Sequence, residues 1–372
     1  NHNSVQKSVK SRLDRLIKAN VFYRFSDNEK EFLWSHRKLL MKIPSALPKV
    51  IVSCDWGDKE NVSELYKMLY NWAQPDISIC LQLLSPLFPD PKIRGFAVLN
   101  LERLPDNKLC HFMFQLTQVL KHEPFIDNAL SRFLLRRAVR STSFIGHVFF
   151  WMLKAEFHIE NARHRYETLL NIYCRNCGNH RINLGHQSYL LTQLRNATQA
   201  VRNEKDKHVR KQKLLKVLEN VNTQLNDVEV YQLPLDPLMC CKRIVIEECR
   251  VMGSKQAPLW LVFESAFPLP GGKDTFTVLY KEGDDLRQDQ LVLQLMKTMD
   301  MLWKGNKERP LDMNMCLYKC VATGKMEGML EIVENSSTIA SIIKKSAKQD
   351  EAVSYLQKRW RAVKHFNKTG II

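Results

Sequence analysis

Near residue 231 the hydrophobic period of this chain changes, and that change limits the fold more than any other feature. From Glu29 to about Ala200 apolar residues recur every three or four positions, the stripe of core-facing helices. "NVSELYKMLYNWA" places Leu65, Met68, Leu69 and Trp72 on one side, and "KIRGFAVLNLERL" does the same with Ile93, Phe96, Ala97 and Leu101. "SPLFPDP" (85–91) and "LPDNK" interrupt the pattern, and Asp127 is placed to cap "NALSRFLLRRAVRS". Helices of about four turns with short connections predict stacked antiparallel pairs, an α-solenoid of HEAT-like kind.

After a polar helical stretch over 201–228, "YQLPLDPLM" (231–239) marks a boundary. Beyond it, "CKRIVIEECRVM", "PLWLVFESA" and "TFTVLYK" alternate as strands, with a turn at "PLPGGKD". A helix is expected from Asp285 to about Trp303, anchored to the sheet by Leu291, Leu295 and Met299 with Val292 and Met296 beside them. Two short strands around Gly324 and a helical tail follow. The expected fold is mainly α with a smaller α+β part. Its divisions are a lead-in (1–24), a helical domain (25–200), a helical linker (201–228), a small sheet with one main helix (229–340) and a tail (341–372).

No run of 18 apolar residues suggests a membrane span, and the start lacks the apolar core of a signal peptide. Ten cysteines without a regular framework predict free thiols in a reducing compartment. The net charge of +17 favours anionic partners, although the mixed-sign run "RNEKDKHVRKQK" (202–213) reads as solvated helix surface.

Neither "GGKD" nor "TGKM" completes a Walker A loop, and no G-x-G-x-x-G is present. "CRNC" (174–177) has no second pair at zinc-site spacing; with His164 and His180 it reads as two packed or surface thiols, not a metal centre. That leaves "VLYKEGDDLRQDQLVLQLM" (278–296). Thr277, Leu279 and Lys281 share one face of a strand and Phe276, Val278 and Tyr280 the other. A lysine at the end of such a face is suited to phosphate oxygens, and an acid on the next helix could orient it. The plainer alternative is a surface lysine before a helix whose opening acids suit its dipole.

"GDDLRQDQLVLQLM" resembles the signature that follows the ATP-binding lysine in phosphoinositide 3-kinases. "EKEFLWSHR" (29–37), "PDPKIRGFAVLNLE", "FIGHVFFWMLKAE", "YCRNCG" (173–178), "EECRVMGSKQAPLWL" (247–261) and "CVATGKMEGMLEIVENSSTI" (320–339) resemble further family segments in the expected order. The resemblance covers about residues 25–340. The helical words look closer to class I catalytic subunits, while the last glutamine of "RQDQL" is more typical of class III.

The resemblance implies that 25–200 is the helical accessory (PIK-type) domain, 229–340 a kinase N-lobe with hinge, and the tail the start of a C-lobe. It implies ATP at Val251, Met252, Gly253, Ser254 and Lys255 of a phosphate loop, where Gln256 stands at a position usual for lysine. Trp260 would roof the adenine, Lys281 contact the α-phosphate with Asp289 as its helix partner, and Tyr318 line the inner pocket. Leu330 would point inward, Glu331, Ile332 and Val333 form the hinge, and Ser336 sit at the rim. The activity implied is transfer of the ATP γ-phosphate to the 3-hydroxyl of phosphatidylinositol lipids in growth-factor-type signalling, with magnesium in the complete enzyme.

The D-R-H-N-type catalytic loop and D-F-G-type motif of the family are not written in these 372 residues. A lipid-kinase fragment inactive by itself, with neither catalytic residues nor metal ligands of its own, is therefore expected. The alternative is a catalytically dead scaffold for an SH2-containing regulatory subunit, contacted by Asp27 and Glu29. The resemblance also implies a phosphoinositide membrane as partner, a Ras-like GTPase acting through an upstream domain, no nucleic acid, and a cytoplasmic protein recruited to the plasma membrane.

Overall fold

The breaks between amphipathic stretches supply the helix caps. Asp58, Asp76, Asp90 and Asp206 each accept backbone N–H bonds from the turn they precede, and such caps contribute about 1 kcal/mol each. At "SPLFPDP" the Asp90 carboxylate takes the Lys92 and Ile93 amides, both at 2.9 Å. Pro91 then opens the helix, where its missing N–H has no partner to lose. Asn128, not the expected Asp127, caps the next long helix: it accepts the Ser131 amide at 2.8 Å, and Asp127 pairs with Arg132. Residue 128 is the last extended one, so only its side chain is in reach of the first turn.

The computed structural model of the chain describes residues 2–269, 273–333 and 336–337, and separates into units 1–331 and 332–372. The helices described lie in the first unit. They are α1 (His2–Lys18), α2 (Asp27–Ser35), α3 (Arg37–Leu40), α4 (Leu47–Val52), α5 (Lys59–Asn71), α6 (Ile77–Leu83) and α7 (Pro91–Leu101). Then come α8 (Asp106–His111), α9 (Met113–Val119), α10 (Ala129–Arg140), α11 (His147–Ala155), α12 (Glu160–Asn176), α13 (His180–Arg202) and α14 (Lys207–Gln224). Of the predicted stripe residues, Leu65, Met68, Leu69, Trp72, Ile93, Ala97 and Leu101 are buried and Phe96 is half-buried.

The lead-in and the linker both carry helices that bury apolar residues. The expected lead-in is helix α1, whose Leu13 and Leu16 are buried while Arg12 lies 4.1 Å above the Phe32 ring. The expected linker contains α14, which packs on α13 and buries Leu214, Leu218 and Val221. Leucines at a spacing of three and four give α14 an apolar stripe that must be covered, which its charged faces concealed.

The sheet follows the change of period at residue 231. Its strands are β1 (Tyr231–Leu233), β2 (Asp236–Ile244), β3 (Arg250–Val251), β4 (Leu259–Leu269), β5 (Lys273–Glu282), β6 (Cys320–Gly324) and β7 (Glu327–Glu331). The order is β1-β2-β4-β5-β7-β6, with β3 pairing β4, and every described pairing is antiparallel. Alternation sorts the two faces. Leu259, Leu261, Phe263, Val278, Tyr280 and Met329 are fully buried on the inner face. The register aligns Trp260 with Leu279, Leu279 with Leu330, and Leu330 with Cys320 across the outer face. Next along that face, Lys281 lies opposite Gly328, and Gly328 opposite Ala322.

The main helix of this part is α15 (Arg287–Lys304), beginning two residues later than expected. Its expected anchors do not anchor it. Leu291, Leu295 and Met299 are 38, 55 and 44 % exposed, and Val292 is exposed too. Its contacts are polar instead. Gln290 accepts the Ala322 amide at 3.3 Å, Gln294 exchanges amide bonds with Gln115 at 2.8 Å, and Thr298 bonds His111 at 2.9 Å. Residues 290, 294 and 298 form one stripe at a spacing of four. It faces α8, α9 and β6, where hydrogen-bonding partners wait, so the apolar stripe beside it faces away.

Candidate active site

The outer face of β4, β5, β7 and β6 brings together most of the residues singled out by sequence. Tyr318, Leu279 and Cys320 pack around a small buried cluster of Leu286, Ala322, Leu330 and Ala155. Trp260 is half-buried on this face, with the Arg250 guanidinium 4.2 Å above its ring. It is a packed strand tryptophan that still presents part of its surface. Burial and the neighbouring Asp289 charge push the Tyr318 hydroxyl up. Burial and Asp289 also push the Cys320 thiol up to about 12, with Lys281 acting the other way. Lys281, Asp289, Tyr318 and Cys320 thus share one electrostatic neighbourhood.

The end of this face is built from three turns. Residues 252–257 form a tight loop closed by Met252 N–H to the Pro258 carbonyl at 2.8 Å and Ala257 N–H to Ser254 at 3.0 Å. Gly253, Ser254, Lys255 and Gln256 are exposed at its tip, and Val251 ends β3 beneath it. The second turn follows Lys281. Gly283 adopts φ +103°, and a Cβ there would come within 2.6 Å of the Gln256 side chain. Only glycine combines that backbone with so close an approach. Its amide donates to the Met326 carbonyl at 2.6 Å, which joins the third turn, between β6 and β7.

This sharp turn redirects the ion pair. The Lys281 ammonium meets Asp284 at 3.3 Å rather than the expected Asp289. Asp284, three residues on, is folded back toward the strand end. Asp285 accepts the Arg287 amide at 3.1 Å and holds its guanidinium through two oxygens, at 2.8 and 2.6 Å. Arg287 in turn keeps the Asp285 carboxyl below its ordinary range. It also donates at 3.0 Å to Glu156, just beyond the C-terminus of α11. The buried Glu156 carboxylate takes further bonds from Lys121 at 2.8 Å and Gln118 at 2.9 Å.

Gly328 completes the seat of α15. A Cβ there would lie 2.2 Å from the Val321 carbonyl oxygen and 2.8 Å from Leu286 Cδ1, so the bare backbone lets Leu286 close onto the sheet. On the inner side, Arg195 of α13 donates twice to the nearly buried Glu327, at 3.0 and 2.7 Å.

Other expected residues are placed differently. Glu331 ends β7, its amide donating to the Lys319 carbonyl and its carboxylate accepting the Lys319 amide, both at 2.9 Å. Ile332, Val333 and Ser336 fall in the second unit, where the Ser336 hydroxyl donates to the Val333 carbonyl at 2.6 Å. The turn expected at Pro270, Gly271 and Gly272 and the helical tail lie outside the described residues. Of the "CRNC" thiols, Cys177 is buried with its Sγ 3.7 Å from the Cys174 carbonyl, and burial pushes both thiols up. His180 is held by the Tyr173 hydroxyl at 2.8 Å, and burial lowers its pKa to about 4.

At the start of the helical part, Ser26 and Glu29 form a capping box. The Glu29 carboxylate accepts the Ser26 amide at 3.0 Å and the Tyr23 hydroxyl at 3.1 Å, whereas Asp27 is fully exposed and pairs only with Lys30 among described residues.

Sequence reading missed Arg195, Arg202, Glu156, Arg287 and Cys320. "DDLRQD" does place a forked donor two residues after Asp285, a local hint at Arg287. For Glu156 and Arg195, whose partners lie 131 and 132 residues away, no local signal exists.

Comparison with known proteins agrees with this geometry. Residues 1–186 match the phosphoinositide 3-kinase family accessory domain (PIK domain), and residues 275–370 match the phosphatidylinositol 3- and 4-kinase family. The chain belongs to the phosphoinositide 3-kinase family. It is 38% identical over 90% of its length to phosphatidylinositol 3-kinase 2 of Dictyostelium discoideum, and 36% identical over 84% to phosphatidylinositol 3-kinase 1 of the same organism. It spans 17% and 19% of the length of those relatives. The accessory-domain match falls within the helical part before residue 231, and the kinase match begins in β5 of the sheet after it.

Proposed function

We propose that the outer sheet face is the nucleotide cleft of a lipid kinase that transfers the γ-phosphate of ATP to the 3-hydroxyl of phosphatidylinositol lipids. One observation carries this reading. Lys281, held by Asp284 at 3.3 Å, projects from the face that also bears Trp260, Leu279, Leu330, Tyr318 and Cys320. A compact ammonium beside a half-buried apolar and aromatic wall suits a triphosphate joined to a flat base.

The fit to ATP is good in kind. Tyr318, Leu330 and Trp260 would hold the adenine, with Glu331 beside them at the end of β7. The loop of Val251, Met252, Gly253, Ser254 and Lys255 would offer backbone donors to the phosphates, and Lys281 would neutralise them with Asp289 nearby. No group of three or more His, Cys, Asp or Glu side chains among the described residues is arranged to hold a metal. We assign no magnesium ligand to them and no catalytic base.

The test is nucleotide titration of the chain with Lys281→Met alongside. ATP affinity should fall about tenfold or more, since losing one charge-assisted contact costs about 1.5–3 kcal/mol, while adenosine affinity changes little. Equal ATP affinity in both proteins would refute the assignment.

A second reading, docking of an SH2-containing regulatory subunit at Asp27 and Glu29, draws support from Asp27 alone. Glu29 is occupied by its own helix start. Pull-down unaffected by Asp27→Lys would count against it. No helix among the described residues is long and apolar enough to cross a membrane.

A further inference from the structure

Helix α13 runs for 23 residues, and its last residue is Arg202. The run 202–213 reads in sequence as solvated surface, but this guanidinium is mostly enclosed, its side chain only 26 % exposed. It is committed in two directions. Arg202 Nε donates to the Gln256 carbonyl at 3.1 Å, and Nη2 donates to the Glu282 carbonyl. Nη1 lies 3.7 Å from the Glu282 carboxylate.

Gln256 belongs to the exposed loop 252–257, and Glu282 directly follows Lys281. The Gln256 side chain also stands beside Gly283, and the β4–β5 register, Leu259 opposite Tyr280, joins the two segments from the sheet side. A planar fork with several donors can hold two carbonyls at a set separation, which a lysine ammonium on a flexible stem cannot. Both acceptors are backbone atoms, so the bracket fixes main-chain positions and not rotamers.

We infer that Arg202 is a positioning residue by which the helical domain sets the spacing between the phosphate loop and Lys281, and so governs recognition of the triphosphate. The inference rests on the nucleotide reading of the cleft. It separates two halves of the ligand. Among the described residues the polar partners of Arg202 are Gln256 and Glu282, at the phosphate end, and not Tyr318, Leu330 or Trp260 of the adenine wall.

The experiment compares the full chain with Arg202→Ala and Arg202→Lys by ATP and adenosine titration and by amide hydrogen exchange. In the alanine variant ATP affinity should fall about tenfold, equivalent to about 1.4 kcal/mol, while adenosine affinity stays within about twofold. Exchange should rise in 252–257 and 282–285 and not elsewhere. Lysine, reaching one carbonyl at a time, should fall between. A purely structural role would weaken both ligands alike and raise exchange throughout α13, which would overturn the inference. Unchanged exchange in 252–257 would also overturn it, whatever the ligand data. If the wild-type chain binds neither ligand, the nucleotide reading fails, and the exchange result separately reports whether the bracket exists.

Discussion

Glu156→Gln tests how the helical domain holds the kinase-like part. The Glu156 side chain is 3 % exposed and accepts from Lys121 at 2.8 Å, Gln118 at 2.9 Å and Arg287 at 3.0 Å. Glutamine keeps the shape and deletes the charge. Bonds to charged groups contribute about 1.5–3 kcal/mol, roughly twice the neutral value. Lys121 and Arg287 are 22 and 28 % exposed, and Arg287 keeps Asp285, so water and that carboxylate recover part of the loss. The expected destabilisation is about 2 kcal/mol, below the 3–5 kcal/mol typical of a fully buried pair that loses one partner.

The pH dependence has a definite sign. Burial acts to raise the Glu156 carboxyl, but the bonds from Lys121, Gln118 and Arg287 outweigh it and hold the group below its ordinary range. A folded-state pKa below the unfolded one gives stability that is fully present above the unfolded value and is lost as pH falls through the folded value. The deficit of Glu156→Gln should therefore be full near about pH 7 and shrink below about pH 4.3, the ordinary glutamate value. Urea unfolding of both proteins across this range measures it. A deficit that does not change with pH, or one under about 0.5 kcal/mol at neutral pH, would refute the reasoning.

Three further predictions concern α15 and its seat. Gly328→Ala forces a methyl against the Val321 carbonyl and Leu286; urea titration should show a loss of about 1–3 kcal/mol, as for other overpacked sites. Leu286→Ala, at a position 1 % exposed, should cost about 2–4 kcal/mol. Leu295→Ser, at a position 55 % exposed, should stay within about 0.5 kcal/mol of wild type. Comparable losses at 286 and 295 would mean that the apolar stripe of α15 is covered after all.

Much of this protein was legible in one dimension. The change of hydrophobic period near residue 231 placed the helical part and the sheet, because burial against a core imposes a period of 3.6 on helices and 2 on strands. Aspartates at the breaks cap four of the described helices, at 58, 76, 90 and 206, whereas the expected cap Asp127 gave way to Asn128. Alternation alone put Leu279 and Lys281 on one face and Val278 and Tyr280 on the other, as the burial of the latter pair confirms. Family words supplied the chemistry that spacing left open.

Tertiary structure decided what distance along the chain conceals. Helix α15 carries both an apolar and a polar stripe, and only the hydrogen-bonding partners on α8, α9 and β6 determined which turned inward. The turn at Gly283 chose Asp284 over Asp289 as the direct partner of Lys281, since a backbone at φ +103° folds the chain back on itself. Arg195, Arg202 and Arg287 look like ordinary surface cations in sequence. A guanidinium gains its specific role from acceptors fixed around it in space; Asp285 beside Arg287 is local, but the others lie 54 to 132 residues away.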